Sequence, residues 1–440
     1  MRGAPFVVVP PLPYLAKKLP MFRHIHSQAA PSLKNGLLLI FFLPLLGIAQ
    51  GKGVHFERDL SWSAVQAKAK AENKYIFLDC FTTWCGPCRY MSTTVFPQEE
   101  SGNFFNPRFV SVQVQLDTTA HDNALVKNWY AAAHEIMTKY EIRAFPTFLV
   151  FAPDGHVLHR IVGSTTTAKD FITLAQAAFD SSSQYYTQLQ QFHEGRRDSV
   201  FLRRLAMQSF LVYDPEREVA NAYFATQSNL YKPAVLNLLD DFTQTSQDTG
   251  FAVFLQHAAE VDKVAGPGKA EKKVSDILIR EYVYPTLRTT PATEPDWKAL
   301  QDTIAARFPR QAPEVTARGK VVYCQNKNDW PHFQIAIVAY MKQYGNHVLP
   351  EELNEYAWTI FHNCPDMTCI NDALDWSRRS FKDNPNPGFM DTYANILYRM
   401  GKKDDAIAWE EKALRLADEG SKASYQFTID KMKKGEKTWE

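Results

Sequence analysis

Cys85 and Cys88, two residues apart in Trp84-Cys85-Gly86-Pro87-Cys88, are the residues whose type and spacing most directly suggest chemistry. They stand where an apolar, strand-like run from Tyr75 to Phe81 gives way to a helix-like segment from Gly86 to Val95. A sulfur just before the first helical turn meets free backbone N–H groups and the positive end of the helix dipole, which favour a thiolate over a thiol. Cys85 is therefore the expected nucleophile. Cys88 can swing beneath it, so that a mixed disulfide formed at Cys85 is resolved by Cys88. Trp84, Gly86 and Pro87 form the expected substrate-facing rim, with Trp84 and Pro87 leaving one sulfur accessible and the other shielded. A structural zinc site is the competing use of such a pair, but it needs four ligands and usually a second close pair. Cys364 and Cys369 lie in another part of the chain, with no histidine following at finger spacing. No metal and no organic cofactor is expected; the redox group is the Cys85–Cys88 pair itself.

The elements that must hold this motif are legible around it. Ser61 is a candidate N-cap for a helix over Trp62 to Asn73, followed by a buried strand from Tyr75 to Phe81. A second strand is expected at Phe109 to Leu116 and a long helix at about His121 to Tyr140. Thr147 to Ala152 and His156 to Val162 flank Pro153-Asp154-Gly155, a hairpin turn. A helix from Ala168 to Phe179 closes the unit, giving the alternation of an α/β sandwich.

The run from Asp79 to Arg89 around the motif, with Ile142-Arg143-Ala144-Phe145-Pro146-Thr147-Phe148 some sixty residues later, resembles the thioredoxin family. The resemblance covers roughly residues 55 to 180. It implies that Pro146 is the family's cis-proline facing the two sulfurs, and that Phe145 offers its main chain to an extended substrate segment. It also implies that Asp79 is the family's buried acid, assisting proton transfer at Cys88 with a raised pKa. The alternative for Asp79 is a strand-end carboxylate in solvent. The family's basic partner of this acid is not matched, Gln113 being the approximate counterpart. Cys80, on the opposite face of its strand, is expected to be an inert buried thiol.

The 440 residues carry 49 Lys and Arg against 48 Asp and Glu, a net +1 that offers no field for nucleic acid or an acidic membrane. Gly36 to Ala49 is an apolar run too short for the roughly 20 residues of a membrane span, and it fits a secretory h-region after Arg23 and Lys34. The expectation is a leader and signal peptide over 1–50, with Met21 as a more normal start and an uncleaved anchor as the alternative. The mature chain is then expected in the periplasm or cell envelope. The expected order is a thioredoxin-like domain over 51–180, a helical region over 181–345 and tetratricopeptide-like helical repeats over 346–440. The fold class is an α/β thioredoxin-like sandwich followed by an all-α tetratricopeptide-like domain.

The repeat signal is clearest from Asp391 to Ala417, where Tyr393, Ala394, Leu397, Gly401, Ala406, Trp409 and Ala413 occupy tetratricopeptide-like positions. Ala373, Leu374 and Trp376 echo Ala406, Ile407 and Trp409. The aromatic residues Trp358, Phe361, Trp376, Tyr393, Tyr398 and Trp409 are expected to pack helices. Cys364 and Cys369 either close a small disulfide or remain two buried thiols, and Cys324 has no assigned partner.

The function these features imply is thiol–disulfide exchange on envelope proteins. By resemblance, Gly86-Pro87 between the cysteines leans toward a reductase recharged by a membrane electron donor. The alternatives are a disulfide isomerase, and a helical-repeat binding or scaffold protein in which the redox pair is a switch.

Overall fold

The computed structural model describes residues 52–289, 293–364 and 369–439, so the expected signal peptide and the alternative start at Met21 lie outside the described residues. The described chain forms two compact units that divide between Thr226 and Gln227.

The first unit is built on a five-stranded sheet of order β1-β3-β2-β4-β5. Its strands are β1 (Phe56–Glu57), β2 (Tyr75–Phe81), β3 (Phe109–Gln115), β4 (Thr147–Phe151) and β5 (Val157–Val162). β1 and β2 run parallel to β3, whereas β4 runs antiparallel to both β2 and β5. The central strand β2 is apolar at nearly every position because both of its faces are covered.

On one face, Val65 and Ala69 of α1 (Trp62–Glu72) pack with Ile76, Leu78 and Cys80. The expected cap holds: the Ala64 N–H donates to Ser61 Oγ at 3.3 Å. On the other face, Phe77, Phe148, Val150 and Ile161 meet α2 (Gly86–Tyr90) through its π-helical continuation Met91–Val95, along with α3 (Glu99–Phe105). α4 (Ala124–Lys139) joins α1 on the first face through Trp129, Ala133 and Ile136. α5 (Ala168–Gln176) lays Phe171 and Ala175 on the second. This is a thioredoxin-like mixed sheet between two helical layers, followed by an all-helical region.

The first unit continues past the sheet. The Asp180–Ser183 turn leads into α6 (Tyr185–His193), α7 (Ser199–Leu211) and α8 (Arg217–Ala225). Every regular element of the second unit, among the described residues, is a helix. Its largest core joins Phe333 and Ile337 to Ala357, Ile360, Phe361, Trp376 and Ile396. Helices Pro387–Arg399 and Lys403–Leu416 meet through Ala394, Leu397 and Ala406, with the Tyr393 and Trp409 rings 5.2 Å apart. Of the expected packing aromatics, Trp358 remains 38% exposed. Cys364 follows helix Pro350–Asn363 and Cys369 precedes helix Ile370–Ser380, with residues 365–368 outside the described residues.

Candidate active site

The turn after β2 is set by polar contacts to Thr82 and Asp117. The Cys85 N–H donates to the Thr82 carbonyl at 3.2 Å, and the Thr83 N–H donates to both carboxylate oxygens of Asp117 at 3.0 and 3.2 Å. The Thr83 hydroxyl donates to the same carboxylate. Cys85 then occupies the N-cap of α2 in an extended conformation, and its Sγ accepts the Cys88 N–H at 3.1 Å. Pro87 costs the helix nothing in its first turn, where an N–H would lack an intrahelical partner. Cys85 and Cys88 are joined as a disulfide. When that bond is reduced, the Cys88 N–H and the helix N-terminus are placed to stabilise charge on Cys85.

In the disulfide form both cysteines are 4% exposed as whole residues. Both belong to one core cluster, and the exposed residues of the motif are those that flank them. Trp84 is 44% exposed, and a Cβ at Gly86 would meet nothing within 4 Å.

The opposite wall comes from the loop between α4 and β4. Its Phe145–Pro146 peptide is cis, as the resemblance implies. Thr147 Oγ1 donates to the Ala144 carbonyl at 2.8 Å and the Gly163 N–H donates to the Pro146 carbonyl at 2.9 Å, anchoring the loop to its own hairpin. Phe145 is buried in the cluster that holds both cysteines, and the Trp84 ring meets it edge-on at 5.7 Å. The turn and the loop thus form one continuous rim beside the disulfide.

Asp79 is buried, not a solvent-facing strand end. It stands opposite Gln113 on β3 and opposite Phe148 on β4. Gln113 Nε2 donates to Asp79 Oδ2 at 3.0 Å and to Ser92 Oγ at 3.1 Å. Burial pushes the Asp79 carboxyl up to about 7, with the Gln113 hydrogen bond working against it. Oδ1 is buried without a hydrogen-bond partner, so one oxygen is held and the other is open to a proton. Cys80 is fully buried in the first-face cluster, and burial followed by the Asp79 charge pushes its thiol up, which makes it unreactive. Asp117 and Ser92, which brace the turn and the buried acid, were not singled out in the sequence. Among the described residues, no group of three or more His, Cys, Asp or Glu is placed to hold a metal ion.

Comparison with known proteins bears on this geometry. The family model of the thioredoxin-like domain matches residues 62–179. A thioredoxin of Coprinus comatus is 33% identical over 101 residues, which span 23% of this chain and 79% of that protein. The chain belongs to the thioredoxin family. Its thioredoxin-like domain is a thiol–disulfide oxidoreductase domain. Thioredoxin-2 of Pyricularia oryzae is 31% identical over 96 residues, and there the match spans 22% of this chain and less than half, 45%, of the relative. A solution structure from Bacteroides thetaiotaomicron, described as that of a candidate disulphide-isomerase, is 31% identical. It covers 30% of this chain and 98% of its own, at a TM-score of 0.25.

Proposed function

We propose that the protein is a protein-disulfide reductase whose redox couple is Cys85 and Cys88. The observation that carries this reading is the Cys85 sulfur at the N-cap of α2, bonded to Cys88 beside a rim of Trp84 and the cis Phe145–Pro146 loop. In the dithiol form, the Cys85 thiolate attacks one sulfur of a substrate disulfide and expels the other as a thiolate. Cys88 then attacks the Cys85 sulfur, releasing the second substrate thiol and closing the Cys85–Cys88 disulfide. Two electrons pass from the dithiol to the substrate, and an external dithiol donor restores the enzyme. Asp79 accepts the Cys88 proton during resolution, while the Phe145 main chain and the Trp84, Gly86 and Pro87 rim position the substrate segment.

The reductase direction is favoured by Gly86-Pro87 between the cysteines, and an envelope location by the apolar run from Gly36 to Ala49. In such a location the donor would be a membrane reductase. The helix pair Pro387–Arg399 and Lys403–Leu416, closed on Ala394 and Ala406, supports a tetratricopeptide-like reading in which the helical region recruits a protein partner.

The test is reduction of a protein disulfide by the full chain with dithiothreitol as electron donor. Cys85→Ser should abolish turnover, and Cys88→Ser should accumulate a mixed disulfide at Cys85 that a gel resolves. Unchanged turnover by Cys85→Ser would remove the mechanism.

A further inference from the structure

Arg160 of β5 is among the largest fully buried side chains of the protein and sits opposite Leu149 of β4. A buried guanidinium is costly unless its donors are matched. Here Nη1 donates to the Tyr140 carbonyl at 2.8 Å and lies 3.6 Å from Asp214 Oδ2, and Nη2 donates to the Glu141 carbonyl at 3.4 Å, while Nε is buried without a hydrogen-bond partner. These partners come from two parts of the first unit. Tyr140 and Glu141 end α4 and begin the loop that runs through Ile142 to the cis Phe145–Pro146 peptide. Asp214 lies in the turn between α7 and α8, beyond the α/β sandwich.

Further contacts fix Asp214. It accepts a hydrogen bond from the Tyr185 hydroxyl at 3.0 Å, and the Tyr185 N–H in turn donates to His159 Nδ1 at 3.1 Å. The next residue, Tyr186, sets its ring 6.0 Å from that of Tyr140. The turn that Arg160 holds is conformationally demanding: Glu141 has φ +44°, in the left-handed region that a residue with a Cβ seldom adopts. Two carbonyls pinned by one planar fork fix the direction in which the loop leaves α4, and a lysine could not span them in the same way.

We propose that Arg160 is a positioning residue for the Phe145–Pro146 loop, and that α6–α8, through Asp214, are a working part of the redox unit. The proposal rests on the reading of that loop as the substrate-binding one. Arg160 touches neither sulfur nor substrate. Its loss therefore loosens the main chain on which a substrate segment docks and leaves the Cys85–Cys88 exchange itself in place.

The test uses the full chain on two disulfides: insulin, whose backbone must dock, in turnover with dithiothreitol as donor, and 5,5′-dithiobis(2-nitrobenzoate), which has none, in a single turnover of the pre-reduced protein freed of dithiothreitol. For Arg160→Met the KM for insulin should rise about tenfold, with kcat and the rate on the small disulfide within about twofold of the parent. Asp214→Asn, at a partly exposed turn, should shift KM in the same direction by a smaller factor, and it carries the test if Arg160→Met does not fold. An unchanged insulin KM in a folded variant overturns the proposal, as does an equal fall on both disulfides. Failure of the parent protein to reduce either disulfide would instead remove the reductase reading on which the proposal rests.

Discussion

Asp79 and Gln113 face each other across the parallel β2–β3 pair, joined by the 3.0 Å hydrogen bond that Gln113 Nε2 donates to Asp79 Oδ2. A neutral amide thus stands where the family resemblance would place a base. An amide holds the ionised carboxylate less strongly than a cation would, and burial keeps the Asp79 carboxyl raised to about 7. As the proton acceptor for Cys88, Asp79 must be ionised, so turnover should fall as pH drops below about 7. Asp79→Asn should lower turnover and flatten that dependence. Gln113→Leu should move the midpoint up and Gln113→Lys should move it down. A pH profile of protein-disulfide reduction for the three variants checks all of these shifts.

Stability should carry the opposite sign at Asp79. The folded protein keeps this proton up to about 7 while the unfolded chain releases it near 3.8, so stability falls as pH rises between those values, by about 4 kcal/mol in all. His159 runs the other way. Burial lowers its pKa from 6.5 to about 4, so its contribution is present above 6.5 and is lost as pH falls toward 4, by about 3 kcal/mol. Between these limits the two slopes oppose each other, and stability should vary little with pH on their account. Asp79→Asn should expose the acid-side loss and His159→Gln the loss on raising pH. Urea midpoints measured from about pH 4 to 8 for the parent and both variants check the compensation.

In the second unit, Glu410 of helix Lys403–Leu416 is fully buried, and burial followed by the charge of Asp391 pushes its carboxyl well above the usual range. A carboxyl so raised keeps its proton in the folded protein where the unfolded chain has already released it, so it costs stability as pH rises above the ordinary value of 4.5 and does so before the folded group ionises. Glu410→Gln should remove that loss, so the variant should gain on the parent as pH rises from about 4.5 to 8, by about 1–3 kcal/mol at neutrality, read as a rise in thermal midpoint.

Asp117 predicts a local effect. With its acceptor removed, the Thr83 N–H must find water, and the turn before Cys85 loses its brace. Asp117→Ala should cost about 1–2 kcal/mol and speed amide exchange at Thr83 and Trp84, as hydrogen exchange would show.

Much of the redox unit was readable in advance because its signals are local. β2 is bounded as its apolar run suggests, and Ser61, Pro87 and the Pro153–Gly155 turn announce their own roles. What stayed hidden depends on distant partners. β1 is two residues long, too short to show a period. α3 contains Gly102, which reads as a breaker. A Cβ there would come within 2.6 Å of the Lys52 carbonyl oxygen, so tertiary contact selects the glycine against helix propensity. Nothing local in the sequence marks Arg160 as buried, because Asp214, its counter-charge, is remote in sequence. The helices of the second unit were legible as helices, but their pairing depends on small residues such as Ala394 and Ala406, for which the sequence offered two imperfect repeats.

The reductase reading stands most directly on the reduction potential of the Cys85–Cys88 couple, measured by equilibrating the full chain against defined dithiothreitol and glutathione buffers. A value near about −270 mV is expected, poised to pass electrons to substrate disulfides. A value between about −180 and −120 mV would make the couple an oxidant or isomerase and would contradict the assignment.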